Sequence, residues 1–591
     1  MKSIAPFSSN SYYTDWMNFL RVRHLMKANQ LCNLFGLRRL LALLFSGGFV
    51  LFSISANAQL IFSNAADLTL KDYLHEVLQH NNSIQAQMLD AESNRRRASG
   101  ELGAFEPQFE ASIMQEVNKR TNSVQQEASQ SGQGFFSERN TIYDSGIEAL
   151  IPTGGKVRLG ATMSDLGNNV NPNPLASLEG QTNGIWTRQY QTFVGATLTQ
   201  PLLKDGWLTP VLAQYRLAAL DSGIAFQEYR QKLMLTIYQA EGTYWNLYFA
   251  QEQVRFYDQS VSVAQEVLND ASEKVKAGQG AELDVMEAQS ALALRNTKRN
   301  DAMQTYYDAL GHLQMLTGME PDPIHAGAQD PAYRVVDDPH TANSPPDYQT
   351  SFIQVFERNP DYLIQRQKVD EERLRLGVAK NELLPELDFK AAYGFNGLGS
   401  TPENAWDVAT TEKFPSWSVG LELTVPLGGN IRGRNFYKAA QLKWQEAYLN
   451  LRDVQTQIAS SLSMTIQKAR AWQQSIQSYE TVVRYNKELL QTQLARLKAG
   501  TAEAQKVLDV EADLLDSQQD LASALGQYRR ALLEVELNSG TILKNRGIDI
   551  TREELRRQTE EMLDHNNAVA QKIPRSPNDY LYLPASTQPS N

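Results

Sequence analysis

The sequence predicts a mainly α-helical fold with a membrane β-barrel, in which one helix-strand-strand-helix repeat occurs twice. Three features predict it: an internal repeat, two long proline-free stretches and short segments with alternating apolar residues. The repeat is visible at an offset of 222 residues, at which Lys276-Ala277-Gly278 recurs as Lys498-Ala499-Gly500. A duplicated rod of this kind favours symmetry around an axis over an enzyme fold, because catalysis needs unlike groups that converge.

The N-terminal region, residues 1–58, is predicted to be a secretory signal peptide. An Arg-Arg pair at 38–39 precedes an apolar run of 15 residues at 40–54, and Ala-Asn-Ala at 56–58 has the pattern of a cleavage site. The run is short for a membrane span, and an uncleaved anchor is the alternative. Cleavage would remove Cys32, the only cysteine, so neither disulfides nor cysteine metal sites are expected.

The composition after residue 58 excludes several classes of function. This part carries 50 basic and 66 acidic side chains, which argues against nucleic acid as a partner. The histidines show no metal-ligand spacing and no nucleophile motif is present, so no metal, cofactor or catalytic residue is predicted.

Two long helices of nearly equal length are predicted. Residues 211–320 and 427–573 contain no proline, which permits uninterrupted helices at 211–276 and 433–498. Each would be about 100 Å long at about 1.5 Å per residue. An apolar seam typical of a coiled coil follows the turn at Lys498-Ala499-Gly500. The same seam would occur in a soluble coiled coil, which stays an alternative. The seam consists of Val507, Val510, Leu514, Leu521, Leu525, Tyr528, Leu532 and Val535.

Short strands with one apolar face are predicted in both halves. Apolar residues alternate with small or polar ones over 387–395 and 417–425, and more weakly over 109–113 and 194–198. This pattern fits a tilted transmembrane strand with lipid on one side, but a half-buried soluble sheet would show it as well. The predicted lipid-facing residues are Trp417, Val419, Leu421, Leu423 and Val425.

The number of strands predicts an oligomer. Two main strands per repeat give about four per chain, fewer than the roughly eight of the smallest closed membrane barrel. Open edges in lipid would leave backbone groups unpaired, so several copies should share one barrel. Three copies would supply about twelve strands above about twelve helical rods.

The first half contains an extra region, 116–190, within which a hairpin is predicted around the turn at 152–155. Polar stretches at 121–137 and 168–183 read as exposed loops. Near the C-terminus, Thr551 and Glu554 predict a capping box for a short helix. The predicted segments are a signal peptide, a first repeat, a Pro-rich connector, a second repeat, and a C-terminal helix with a disordered tail, at residues 1–58, 59–318, 319–346, 347–545 and 546–591.

The order of these features, repeated twice, resembles the TolC-type outer-membrane efflux protein family. The resemblance covers about 68–543 and rests on the strand ends at 200–203 and 425–427, the long helices, and the sequences after the Lys-Ala-Gly turns at 282–285 and 505–509. It implies a homotrimer that forms a shared barrel in the outer membrane and a helical coiled-coil tunnel across the periplasm of a Gram-negative cell. Such a channel gives passive exit to substrates of an efflux pump or a type I secretion system, and is not an enzyme.

The resemblance also implies partners and sites. The partners would be a periplasmic adaptor (membrane fusion) protein, an inner-membrane transporter and outer-membrane lipid. The adaptor would dock at the turns formed by Lys276, Ala277, Gly278, Lys498, Ala499 and Gly500, although such turns also occur as ordinary helix C-caps.

A periplasmic gate is implied just past the second turn, where the family carries two acidic positions three residues apart. Here the two positions hold Lys506 and Asp509, so only the second acid matches. Asp284 and Glu287 occupy the equivalent places in the first repeat, and the family's basic latch position holds Ala502. The alternative is that all four charged residues are solvated helix positions. The competing function is a periplasmic coiled-coil scaffold without a pore.

Overall fold

A computed structural model describes residues 65–124, 135–169, 187–318, 333–341, 344–548 and 550–567. The predicted signal peptide and most of the predicted disordered tail lie outside these residues. Within them, no helix is both long and apolar enough to cross a bilayer.

The first repeat begins with a short strand and two helices, continues through four long strands, and ends in one very long helix and a shorter one. Its elements are β1 (Ala66–Leu68), α1 (Leu70–His80), α2 (Asn82–Gly100), β2 (Gln108–Thr121), β3 (Phe135–Leu150), β4 (Lys156–Asn168), β5 (Thr187–Pro201), α3 (Leu208–Val211), α4 (Ala213–Lys276) and α5 (Glu282–Thr317).

The second repeat has the same order with two long strands instead of four. After β6 (Tyr333–Val335) come α6 (Tyr348–Arg358), α7 (Pro360–Asn381), β7 (Glu386–Gly399), α8 (Pro402–Thr410), β8 (Pro415–Thr424), α9 (Ile431–Lys498), α10 (Ala504–Ser539), α11 (Ile542–Asn545) and α12 (Arg552–Asn567). Of the capping box predicted for α12, the N-cap bond is present, since the Glu554 amide donates to Thr551 Oγ1 at 3.2 Å.

The two predicted long helices are confirmed. Helix α4 has 64 residues and α9 has 68, and each packs along the shorter helix that follows it, α5 or α10. The seam predicted in α10 is also confirmed: Leu521 and Leu532 are partly buried, and the other six residues are at most 9% exposed. Apolar contacts along these seams therefore hold the helix pairs together.

The largest buried cluster surrounds α4, which packs against α1, α2 and α5. Tyr73 on α1 and Tyr244 on α4 are fully buried, and Tyr244 donates a hydrogen bond to the Leu68 carbonyl at 3.0 Å. Strand β1 pairs in parallel with β6 beside this cluster. Part of the predicted irregular connector between the repeats is therefore a strand.

The six long strands form one antiparallel sheet in the order β2-β3-β4-β5-β7-β8. The predicted hairpin is confirmed, but its strands β3 and β4 join the main sheet, so the expected count of about four strands per chain is wrong. The predicted loops at 121–137 and 168–183 are also too long, because Thr121, residues 135–137 and Asn168 belong to strands. At these strand ends polar residues lie on both faces of the sheet, for example Asn118 on one and Lys119 on the other, so the alternation of apolar and polar residues is lost.

Strand register gathers the predicted apolar residues on one face. A single cross-strand row contains Phe109, Ile147, Leu159, Ala196, Tyr393 and Trp417. Because every second residue shares a face, the apolar sets of 109–113, 194–198, 387–395 and 417–423 all lie on this side, which we call the apolar face. The opposite, polar face carries ion pairs such as Arg158–Asp144 and Lys390–Glu422.

On the polar face, four neighbouring strands place a glycine in one row: Gly146, Gly160, Gly195 and Gly394. A Cβ added to any of them would come within 2.5–2.9 Å of a carbonyl oxygen on an adjacent strand, closer than real Cβ atoms approach. Glycine in a strand often marks a bend or a close backbone approach. This glycine row therefore lets the strands come together tightly on the polar face.

Candidate functional site

The two Lys-Ala-Gly turns have the same geometry. Ala277 and Ala499 both have φ −79° and ψ −1°, and Gly278 and Gly500 follow in the left-handed region at φ +74° and +72°. In the first turn the Gly278 amide donates to the Val275 carbonyl at 3.0 Å, and the next amide donates to the Lys274 carbonyl at 2.8 Å. These bonds define a Schellman motif, which the second turn repeats.

All six predicted docking residues are exposed at these turns. The first turn is joined to α9 near the second turn, because Lys274 Nζ donates to the Leu497 carbonyl at 3.1 Å. Lys498 Nζ also lies 2.7 Å from Glu266 Oε1 on α4, and the hydrogen bond to this carboxylate raises the pKa of Lys498. The structure thus brings the two turns together at one end of the helices.

The four predicted gate residues are exposed in the single chain. Asp509 accepts a hydrogen bond from Gln505 Nε2 at 2.9 Å, and Asp284 accepts one from the Ala281 amide at 3.3 Å. Among the described residues, no ion pair or hydrogen bond joins Lys506, Asp509, Asp284 and Glu287 to one another. The charges therefore lie near the turns on exposed helix faces, where another chain could approach them.

Behind these charges, the helices bury an apolar cluster that fixes their orientation. Val507 and Val510 on α10 are at most 2% exposed and Ala288 on α5 is 1% exposed, all within one cluster that also includes residues of α4 and α9. Lys506 and Asp509 alternate with these two valines along α10. Burial of one side of the helix consequently presents the two charges on the other.

A buried ion pair that the sequence analysis missed lies next to this cluster. Arg295 on α5 pairs with Glu511 on α10, and their side chains are 12% and 5% exposed. Arg295 also donates to the Leu508 carbonyl at 3.3 Å. The sequence contains a sign of this pair, because the charged residue Glu511 occupies a position of the apolar seam, four residues after Val507 and three before Leu514. The pair joins the helix pair of one repeat to that of the other.

Four of the five predicted lipid-facing residues lie on β8. Trp417, Val419, Leu421 and Leu423 are between 61% and 73% exposed and share the apolar face. The fifth, Val425, lies one residue past the end of β8 at Thr424 and is 51% exposed, so its lipid-facing position stays a prediction. Continued register would place Val425 opposite Pro385, which has no amide hydrogen for a sheet bond.

Known proteins resemble this chain over most of its length. The proteases secretion protein PrtF of Dickeya chrysanthemi is 24% identical over 391 residues, which cover 64% of this chain and 79% of PrtF. The outer membrane protein TolC of Vibrio cholerae is 22% identical over 364 residues, 60% and 78% of the two chains. In fold, the crystal structure of the CmeC outer membrane channel of Campylobacter jejuni matches with a TM-score of 0.54 at 16% identity, over 83% of this chain and 88% of CmeC.

The long helix pairs and the attached antiparallel sheet thus define a channel-tunnel of the outer-membrane type. The family model described as outer membrane efflux protein matches residues 156–319 and 353–541, which is more than half of the chain. The chain belongs to this family. It is a channel-tunnel protein for efflux or secretion, and it resides in the outer membrane of a Gram-negative cell and extends into the periplasm. The scaffold without a pore is therefore not its function.

Proposed function

We propose that the protein forms a homotrimeric duct through which substrates leave the cell passively. The observation that carries this proposal is the open sheet, whose edge strands β2 and β8 each have only one neighbour among the described strands. The two edges run in opposite directions, so β8 of one copy can pair antiparallel with β2 of the next. Three copies would close a barrel of about 18 strands and leave no edge in lipid.

The helices support the same head-to-tail assembly. Helix α9 exposes large apolar side chains that include Leu442, Leu449 and Tyr485, which are 67%, 62% and 60% exposed. On α5, Met286 and Leu294 are 65% and 58% exposed. Different surfaces of one chain thus offer apolar area, as expected where each copy presents one side to its neighbour in a ring.

The gate is proposed at the turns, where three copies would bring Lys506, Asp509, Asp284 and Glu287 around the axis. Opening would separate helix pairs within each chain, and three contacts oppose this separation: Lys274 to the Leu497 carbonyl, Lys498 to Glu266, and Arg295 to Glu511. Of these, the buried Arg295–Glu511 pair should resist most, because water screens the exposed ones.

We further propose that a periplasmic adaptor docks on the two Schellman turns and is coupled to an inner-membrane transporter. The turns are exposed, rigidly hydrogen-bonded and repeated in each chain, which provides equivalent surfaces for one kind of partner. The transporter would select the cargo, as a drug, metal, small molecule or protein, and supply the energy. This chain would carry out no reaction, and no cofactor is assigned to it.

Single-channel conductance in a planar bilayer tests the duct and its gate. Wild-type protein from the outer-membrane fraction would be compared with Asp509→Ala, Lys506→Ala and a control, Glu553→Ala, which removes an exposed acid on α12 far along the chain. We expect small, charge-selective currents that change selectivity in the first two variants and not in the control. Silent trimers would refute the duct, and currents indifferent to both gate substitutions would refute the gate.

A further inference from the structure

A group of basic side chains lies on the apolar face, at the end of the sheet that is farthest from the long helices. Register places Val117, Arg139, Gly167 and Arg188 in one cross-strand row on this face. Lys119 lies two residues further along β2 and therefore points to the same side. Arg139, Arg188 and Lys119 are all exposed. We call these three side chains the basic rim.

Charges at this end of the sheet are sorted between its two faces. Glu116 and Glu138 lie on the polar face, where Glu138 accepts a hydrogen bond from Asn118 Nδ2 at 3.0 Å. Among the described residues of β2–β5, the acid of the apolar face in this region is Asp165, and Arg188 binds both of its carboxylate oxygens at 2.9 and 2.8 Å. These four strands thus place three cations and one acid at this end of the apolar face, beside α8, which packs over Gly397 and Gly399 on the same face.

The spacing of the rim suits a phosphate group. Arg139 and Arg188 stand two strands apart, so their Cα atoms are separated by about 10 Å. The residue between them in the row is Gly167, which puts no side chain into the space. Guanidinium groups present planar forks of N–H donors that match phosphate oxygens, and two of them can approach one anion from opposite sides of this gap.

The height of the rim identifies the source of the phosphate. The row of Ile113, Tyr143 and Met163 is the last in which β2, β3 and β4 all carry apolar or aromatic side chains, and the row of Val117 and Arg139 lies four residues beyond it, about 13 Å along the strand. For strands tilted by about 40°, this is about 10 Å along the membrane normal, close to the depth of lipid headgroups beyond the hydrocarbon core. Tyr143 lies in the first of these two rows and Tyr190 in the row between them, as aromatic residues do at membrane interfaces.

We propose that Arg139, Arg188 and Lys119 bind the phosphate groups of an outer-leaflet lipid and anchor the sheet at that surface. This site rests on the proposed duct, because the apolar face must meet lipid for the rim to meet headgroups. In three copies the site would occur three times around the outer circumference.

Lipid binding by the purified trimer tests the proposal. Binding of diphosphorylated lipid A, of the same lipid without phosphates and of inorganic phosphate would be measured by native mass spectrometry and by the thermal unfolding midpoint. The test variant is Lys119→Gln with Arg139→Gln, which keeps the Arg188–Asp165 pair and thus the fold. The control is Arg120→Gln, since Arg120 lies on the polar face of β2, with its guanidinium 4.8 Å from the Phe136 ring.

We expect diphosphorylated lipid A to bind wild type and control equally and the test variant about 30-fold more weakly, as about five-fold per cation implies. The dephosphorylated lipid should bind all three proteins alike. Equal retention of the diphosphorylated lipid by the test variant would overturn the site, as would inorganic phosphate that displaces it at equal concentration. If either of these two results is found with trimers that still conduct ions, the site is refuted but the proposed duct is not. If the wild type forms no membrane-inserted trimer, both the duct and the site are refuted.

Discussion

An arginine introduced on the apolar face should destabilise the trimer, whereas an arginine at the neighbouring residue should not. Val419 and Ser418 are adjacent on β8, but Val419 lies on the apolar face and Ser418 on the polar face. Both are exposed in the single chain, so neither substitution removes a buried side chain. The pair therefore separates the effect of lipid from the effect of the substitution itself.

The expected cost follows from the position of Val419 in the apolar band. The band runs from the row of Leu423 to that of Gly397, which is five steps of two residues, or about 33 Å along the strand and about 25 Å along the membrane normal. Val419 lies two steps, about 10 Å, above its lower edge and hence close to the middle. Arginine near the bilayer midplane costs about 2–4 kcal/mol, so three copies would lose about 6–12 kcal/mol per trimer.

The assay is denaturant unfolding of the trimer in lipid vesicles, together with the amount of trimer in the outer-membrane fraction. Val419→Arg should lower the free energy of unfolding by about 2–4 kcal/mol per chain and deplete the trimer, while Ser418→Arg should change either quantity little. Equal losses in the two variants, or no loss in Val419→Arg, would refute the assignment of the apolar face to lipid.

Three further predictions concern the helical part. Burial raises the pKa of Tyr73 to about 12, so its stabilising contribution is complete below pH 10 and is lost as the pH rises through 12. The free energy of unfolding should therefore fall by up to about 2–3 kcal/mol in alkali, and Tyr73→Phe should flatten this fall in denaturant titrations. An unchanged pH dependence in the variant would contradict the prediction. Gly500→Ala should cost about 1–2 kcal/mol because of the positive φ, whereas Gly311→Ala, at an exposed helical position six residues before the end of α5, should stabilise by up to about 1 kcal/mol. A neutral Gly500→Ala in thermal unfolding would disprove strain at the turn. Arg295→Met should cost about 3 kcal/mol of stability because Glu511 stays buried without its partner. Replacing Glu511 by methionine as well should recover most of this loss. If the Arg295→Met protein unfolds like the wild type, the ion pair does not hold the helix pairs together.

Features set by local sequence were predictable. Absence of proline permits a helix over any length, and Gly278 and Gly500 mark the helix ends because L-residues avoid positive φ. The alternation at 387–395 and 417–423 is equally local, since a strand with one lipid face and one polar face needs no knowledge of its partners.

Features that depend on distant partners were not predictable. The strand status of Thr121 and Asn168 depends on pairing with β3, and the end of β8 before Val425 depends on Pro385 in another strand. Similarly, the Arg295–Glu511 pair joins residues 216 positions apart. The glycine row and the basic rim appear only after the five strands that carry them are placed in register, because their members are not neighbours in sequence.

The glycine row has a consequence for how this chain could have evolved. Gly146 and Gly160 belong to the hairpin present in the first repeat alone, whereas Gly195 and Gly394 belong to strands that both repeats possess. The close approaches occur in two pairs, because Gly146 and Gly160 each lie against the other's strand, and so do Gly195 and Gly394. The hairpin therefore carries its own glycine pair at the level of the pair in the shared strands, and a substitution at any one of the four positions is restrained by the partner glycine across the strand.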